Sequence, residues 1–355
     1  MYRILVDRLQ PGDILLSSEN SLTSKTIRKS TRSKYSHAML YASYACYIHA
    51  DRNGVHTGNP IRLLFEQKKD FLVLRVKDLQ KAAKACYFAR NQIGMEYSVK
   101  EAIKSKIPTP IKSTKNRQFC SRLIAQSYAF SGLNIVSNPN YCTPQELIKS
   151  PAVHVVDNCL IEADDHEMQA LESLTFHDRV AECQNLFFKN VRNLTENDIQ
   201  TFDQLLDFLE CNRQFDFELT KIYINSGYES IYDGMYDNHE FLLDGNAFLE
   251  LPISFEEKQM MASTHLDSAI SKRESYECNI KFFESLISET GLEFAKVNLN
   301  MFKRLHKLES KAAEAAHHVI NHIGYIMILP RHPEEIGKVK RFLPNIAPRP
   351  WMAKK

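Results

Sequence analysis

Phe119-Cys120-Ser121-Arg122-Leu123-Ile124-Ala125-Gln126-Ser127-Tyr128-Ala129-Phe130-Ser131-Gly132 is the stretch on which the reading of this chain turns. Its apolar residues recur at helical spacing and Gly132 reads as a left-handed C-cap, so Cys120 falls in the first turn of a helix. A cysteine there meets the positive end of the helix dipole and unpaired N–H groups, which favour thiolate and bring its pKa toward neutrality. The plain alternative is a small buried apolar residue, the usual state of a free cysteine. Far upstream, Lys34-Tyr35-Ser36-His37-Ala38-Met39-Leu40-Tyr41 reads as a strand with a histidine near its start. An imidazole is the residue type that can take a proton from an activated thiol.

The segments around these two fall into a definite order. Pro11-Gly12-Asp13-Ile14-Leu15-Leu16 gives a turn and a short strand. Cys46-Tyr47-Ile48-His49-Ala50-Asp51 gives another, which runs into Asn53-Gly54, a strong hairpin signal. His37 and His49 are therefore expected on neighbouring strands. A strand at 72–76, a helix over 78–93 and Gly94-Met95-Glu96-Tyr97 precede the Cys120 helix; Thr143-Pro144-Gln145-Glu146-Leu147 and a strand at 153–156 follow it.

This series resembles the circularly permuted papain-like cysteine hydrolases, the branch of the NlpC-type superfamily that holds the YiiX-type amidases and, more distantly, lecithin:retinol acyltransferase. The resemblance covers residues 10–157. It is carried by Gly12-Asp13-Ile14, Tyr35-Ser36-His37, Ile48-His49-Ala50, Gly94-Met95-Glu96-Tyr97 and Phe119-Cys120-Ser121-Arg122-Leu123, with the histidine ahead of the cysteine as in the permuted branch. It implies Cys120 as nucleophile, His37 as general base and acid, and His49 as the polar group that orients His37. Many YiiX-type members carry an acid where His49 stands, whereas the acyltransferase branch carries histidine; His56 and Asp51 are the other candidates for that role. The N–H groups of Cys120 and Ser121 are the expected oxyanion donors, with Tyr35 a further one.

Between Glu101 and Phe119 runs a Pro-broken basic stretch that reads as a lid or substrate rim, or as a solvated loop. Eight scattered cysteines without paired spacing indicate neither a disulfide framework nor a zinc knuckle, and no cofactor or metal is expected. No apolar run of membrane-spanning length and no N-terminal leader is evident, so a cytoplasmic location is expected. Net charge of +2 hides a partition: +13 over 1–160, −18 over 161–301 and +7 over 302–355. The acidic middle is expected either to dock on the basic first part or to leave basic faces for an anionic partner. No nucleic-acid-binding motif accompanies the basic residues.

The second half is mostly helical, with apolar residues at helical spacing over 194–212 and two long helices meeting at Gly291 in a hairpin over about 255–323. Residues 214–253 are ambiguous: 215–219 and 221–224 alternate like strands, but aromatic-rich connections would look alike. Glu314, His318 and His322 share a helical stripe at metal-ligand spacing, but without an HExxH pattern a polar face is the simpler reading. The expected fold is α+β: a permuted papain-like domain, an antiparallel sheet with the nucleophile on a helix N-terminus, over 1–160, then a mostly α-helical domain over 161–355 ending in a basic tail. The expected function is hydrolysis of an amide or ester through an acyl-enzyme thioester, on a peptide, amide or lipid-ester substrate. The alternatives are a thiol acyltransferase, and a helical partner-binding protein whose papain-like domain is inert, meeting a protein or an anionic membrane surface through its helices.

Overall fold

Short β-branched and aromatic runs separated by turn residues form the first half of the chain, as a computed structural model that describes residues 1–18, 28–29, 32–43, 46–97, 117–163, 176–237 and 239–328. Six antiparallel strands make the main sheet. In spatial order they are β10 (Val153–Val156), β7 (Phe71–Val76), β2 (Ile14–Ser17), β3 (His37–Ser43), β4 (Cys46–Asp51) and β5 (Gly54–Gly58). A second sheet joins β11 (Leu160–Glu162), β1 (Tyr2–Ile4) and β6 (Leu64–Phe65), and a two-residue parallel pair joins β8 (Glu96–Tyr97) to β9 (Arg117–Gln118).

Strand alternation gives the main sheet two apolar faces. Leu16, Ala38, Leu40, Ile48, Ala50 and Leu74 press on α1 (Leu79–Asn91) and α2 (Cys120–Phe130), while Leu15, Met39, Tyr41, Tyr47 and Val73 close a separate core on the other side. Gly12, at the turn before β2, has φ +95 and packs so closely that a Cβ there would stand 2.4 Å from the Ala82 Cβ; the Tyr128 hydroxyl donates to its carbonyl. That position is closed to any side chain. Downstream lie α3 (Pro144–Ile148), α4 (Phe176–Thr195), α5 (Phe202–Cys211), α6 (Asp216–Asn225), α7 (Gly245–Leu249), α8 (Phe255–Thr290) and α9 (Glu293–Ile328).

The chain forms two compact units: Met1–Met235 with Asn279–Phe302, and Tyr236–Cys278 with the chain from Lys303 on. In the first, α4 packs on β5, and Phe187, Phe188, Leu205, Leu219, Tyr223 and Phe294 build an aromatic-rich core. In the second, Phe248, Ala262, Ala316, Val319 and Ile323 form a smaller one. The hairpin expected at Gly291 is present, with φ +72 at the glycine and the Asp216 carboxylate accepting from the N–H groups of Glu293 and Phe294.

Two stretches of the second half are decided by the fold. Residues 215–224, ambiguous in the sequence, are helical: α6 buries Leu219 and Tyr223, four apart, and leaves Phe217 and Ile224 exposed. Helical spacing decided burial there, and the alternation was incidental. The periodic stretch over 194–212 is not one helix, because Glu196 takes φ +55 and Thr201 caps a new start. Most of the proposed lid, and the basic tail beyond Ile328, lie outside the described residues.

Candidate active site

Cys120 is the first residue of α2. Its N-cap, Phe119, is extended and offers no side-chain cap, so the N–H groups of the first turn are not taken up by a cap side chain. Two residues lock this helix start. The Ser121 hydroxyl donates to the Cys142 carbonyl at 2.7 Å and the Cys142 thiol to the Ser121 carbonyl at 3.1 Å. Arg122, buried, lies 4.5 Å over the Phe119 ring and donates to the carbonyls of Arg117 (2.9 Å) and Asn140 (2.8 Å), fastening the chain on both sides of the helix. Nothing in the sequence marks Arg122 as a clamp, because its partners are backbone carbonyls brought up by the fold.

His37 opens β3, paired with Ser17 of β2. Pairing of β3 with β4 starts only at Met39↔His49, which leaves the Ala38 N–H outside that ladder. Of the backbone N–H groups, it is the first to favour the Cys120 thiolate. The neighbouring His37 ring takes the opposite direction along the pleat, and its Nε2 lies 2.7 Å from Nδ1 of His49, with the rings edge to face at 5.0 Å. Among the described residues no hydrogen bond joins Cys120 to the His37 ring.

His49 continues into a polar group on the outer strands. His56 stands directly across from it on β5, with ring centroids 4.3 Å apart, and the His56 Nε2 is 3.0 Å from Asp51 Oδ1. Tyr35 is buried in the helix-side core, away from water, and burial pushes its hydroxyl pKa up. Tyr97, from the Gly94-Met95-Glu96-Tyr97 stretch, is also raised, first by burial and then by Cys120. Gly94 itself, φ +101, leaves no room for a side chain: a Cβ would stand 2.3 Å from the Gln200 carbonyl and 2.9 Å from the Phe188 ring of α4.

Burial sets the protonation states. It pushes the Cys120 thiol up, and the N–H groups of Ala38, Ser121 and Cys120 pull the other way without cancelling it. The expectation of a thiol lowered by the helix start is thus corrected: Cys120 is 7% exposed, and desolvating a thiolate outweighs a few N–H dipoles. Burial lowers His37 to about 4 and takes His49 well below its ordinary value, where the charges of His37 and His56 add to the effect. His56 moves up, because Asp51 overcomes its burial. The resting pair is a neutral thiol and a neutral imidazole.

The family model of the permuted papain-like amidase enzymes, YaeF/YiiX, C92 family, matches residues 8–157. This segment is a permuted papain-like amidase domain. Among solved structures, the metalloprotein YiiX of Escherichia coli O157:H7 is similar at 20% identity, covering 42% of this chain and 98% of its own, with a TM-score of 0.35. No curated protein matches the chain. The amidase domain ends before α4, so the helices from Phe176 on lie outside the family match. No helix among the described residues is long and apolar enough to cross a membrane.

Proposed function

We propose that the chain is a cysteine hydrolase that cleaves an amide or ester bond with Cys120 as nucleophile, His37 as base and acid, and His49 as the group that positions His37. The observation that carries this is the pair of His37 and His49 rings, Nε2 to Nδ1 at 2.7 Å, in a domain where Cys120 opens an uncapped helix and the N–H of Ala38, next after His37, favours its thiolate. His37 Nε2–H donates to His49 Nδ1, which leaves the Nδ1 lone pair of His37 for the thiol proton. The thiolate attacks the acyl carbon, and the developing oxyanion takes the N–H groups of Cys120 and Ser121. His37 returns the proton to the leaving amine or alcohol and a thioester remains. Water, deprotonated by the same His37 nitrogen, then releases the acid.

Because no hydrogen bond among the described residues joins Cys120 to the His37 ring, substrate binding has to bring the two within proton-transfer distance, as apo contacts in such sites often tighten on binding. A second reading, transfer of the acyl group to an acceptor other than water, is favoured by the near-complete burial of Cys120, which keeps bulk water from the thioester. Incubation with a panel of acyl amides and esters, followed by intact-mass measurement, tests both. An acyl adduct on Cys120 that disappears in Cys120→Ala supports the proposal, and turnover that survives that substitution refutes it.

A further inference from the structure

We propose that His49, Asp51 and His56 form a divalent-metal site, suited to zinc, whose occupation switches the thiol off. Two positions apart on β4, His49 and Asp51 project from the same face of the strand, and the ladder sets His56 directly opposite His49 on β5. One ligand atom of each lies within 4.8 Å of the other two. Two imidazole nitrogens and a carboxylate, with a fourth position open, are a three-ligand set that zinc accepts. A second observation points the same way. His49 is 8% exposed, and its Nε2 has no hydrogen-bond partner among the described residues. A polar atom left bare in the interior asks for a reason, and a lone pair aimed at a cation is one.

The tautomers connect this site to the thiol. A metal on His49 Nε2 needs the lone pair there, so the His49 proton moves to Nδ1 and donates to His37 Nε2. His37 must then carry its own proton on Nδ1 and has no lone pair left for the thiol. The catalytic arrangement needs the reverse, Nε2–H of His37 donating to His49. One nitrogen pair at 2.7 Å cannot hold both directions at once, so the ion and the active base exclude each other. Metal binding stands apart from the hydrolase reading; only the effect on turnover rests on it.

The test uses the full chain, stripped with a chelator and dialysed against zinc or cobalt. Wild type and Cys120→Ala should each retain about one ion per chain by elemental analysis, with the visible absorption of tetrahedral cobalt. His56→Ala and the isosteric Asp51→Asn should bind at least about 100-fold more weakly. Nitrogen NMR of the imidazoles reads the site in wild type without any variant, through shifts of His49 and His56 on metal addition. No bound ion in wild type, loss of the ion in Cys120→Ala, which would place it on the sulfur, or unmoved imidazole signals would each overturn the site. On a substrate that the chain turns over, zinc should slow wild type about tenfold or more, reversibly with chelator. The ratio of rates with and without zinc should approach one in His56→Ala. Undiminished turnover with the ion bound would overturn the switch while leaving the hydrolase reading intact.

Discussion

Two buried ionisable groups, one in each unit, differ in how they are satisfied. Glu309 of α9 is fully enclosed, and its oxygens accept from the Tyr236 hydroxyl at 2.9 Å and the Lys272 ammonium at 3.0 Å. His49 is nearly as enclosed, yet only one of its nitrogens is bonded, and that one to another histidine. A carboxylate with every strong partner in place serves the fold, since removing a partner costs stability and nothing else. A histidine kept half-satisfied beside a second base, a third histidine and a carboxylate costs the fold something, and the proposed function gives that cost a use in handling protons or ions. His265 also has a bare Nε2, but among the described residues it belongs to no group of ligand atoms. Burial by itself does not mark a site; burial with an unfinished polar cluster does.

The largest effect that could break this contrast is at the thiol. Cys120→Ala and His37→Ala should each lower kcat/KM by about four orders of magnitude or more while leaving the melting temperature nearly unchanged. A large loss of stability with residual activity would move these residues to the structural side. Glu309→Ala should do the opposite, lowering unfolding free energy by about 3 kcal/mol, because Lys272 and Tyr236 lose their acceptor; denaturant titration measures it. His49→Ala should cost about 100-fold in kcat and less than His37→Ala, since it positions the base without moving the proton. Equal losses at 37 and 49 would mean that His49 itself transfers protons.

A smaller effect concerns pH. His37 must be neutral to act, and with its pKa lowered to about 4 the plateau of kcat/KM should extend from neutrality to about pH 5 and fall below about 4. The sign for stability follows from the unfolded chain, whose histidine titrates near 6.5. Between there and about 4 the unfolded state takes up a proton that the folded state refuses, so stability drops as pH falls through that window, by at most about 3 kcal/mol. Unfolding midpoints at pH 7 and pH 5 read it directly. The smallest effect is at the surface. Asp178→Ala removes the half-exposed pair between α4 and Arg62 and should change stability by less than about 1 kcal/mol.

That last pair bears on the charge partition. Arg62 with Asp178 has the polarity the partition suggests, but Glu96 with Arg192 of α4 has the opposite one, and the Phe188 ring of α4 lies 2.9 Å from where a Cβ of Gly94 would stand. Shape and apolar contact hold α4 on the sheet more than net charge does, because half-exposed ion pairs contribute little. Reactivity also separates from the sequence reading: Cys211 and Cys278 are exposed, whereas Cys120 and Cys142 are buried and raised, so a small alkylating agent need not find the proposed nucleophile first.

The residues alone determined the order of elements in the amidase domain, the helix start at Cys120, the neighbouring strands of His37 and His49, and the hairpin at Gly291. Each follows from a local signal: a period of two or 3.6, an Asn-Gly turn, a glycine where φ must be positive. The sequence could not determine which way residues 215–224 would go, since an apolar run of that length fits either period until a partner surface selects one face. Nor could it leave the Ala38 N–H outside the β3–β4 ladder, set Arg122 between two carbonyl groups, or raise the thiol. Those depend on which backbone groups the sheet leaves unpaired and on how much water the packed core excludes, and both arise only when segments distant in the chain close on one another.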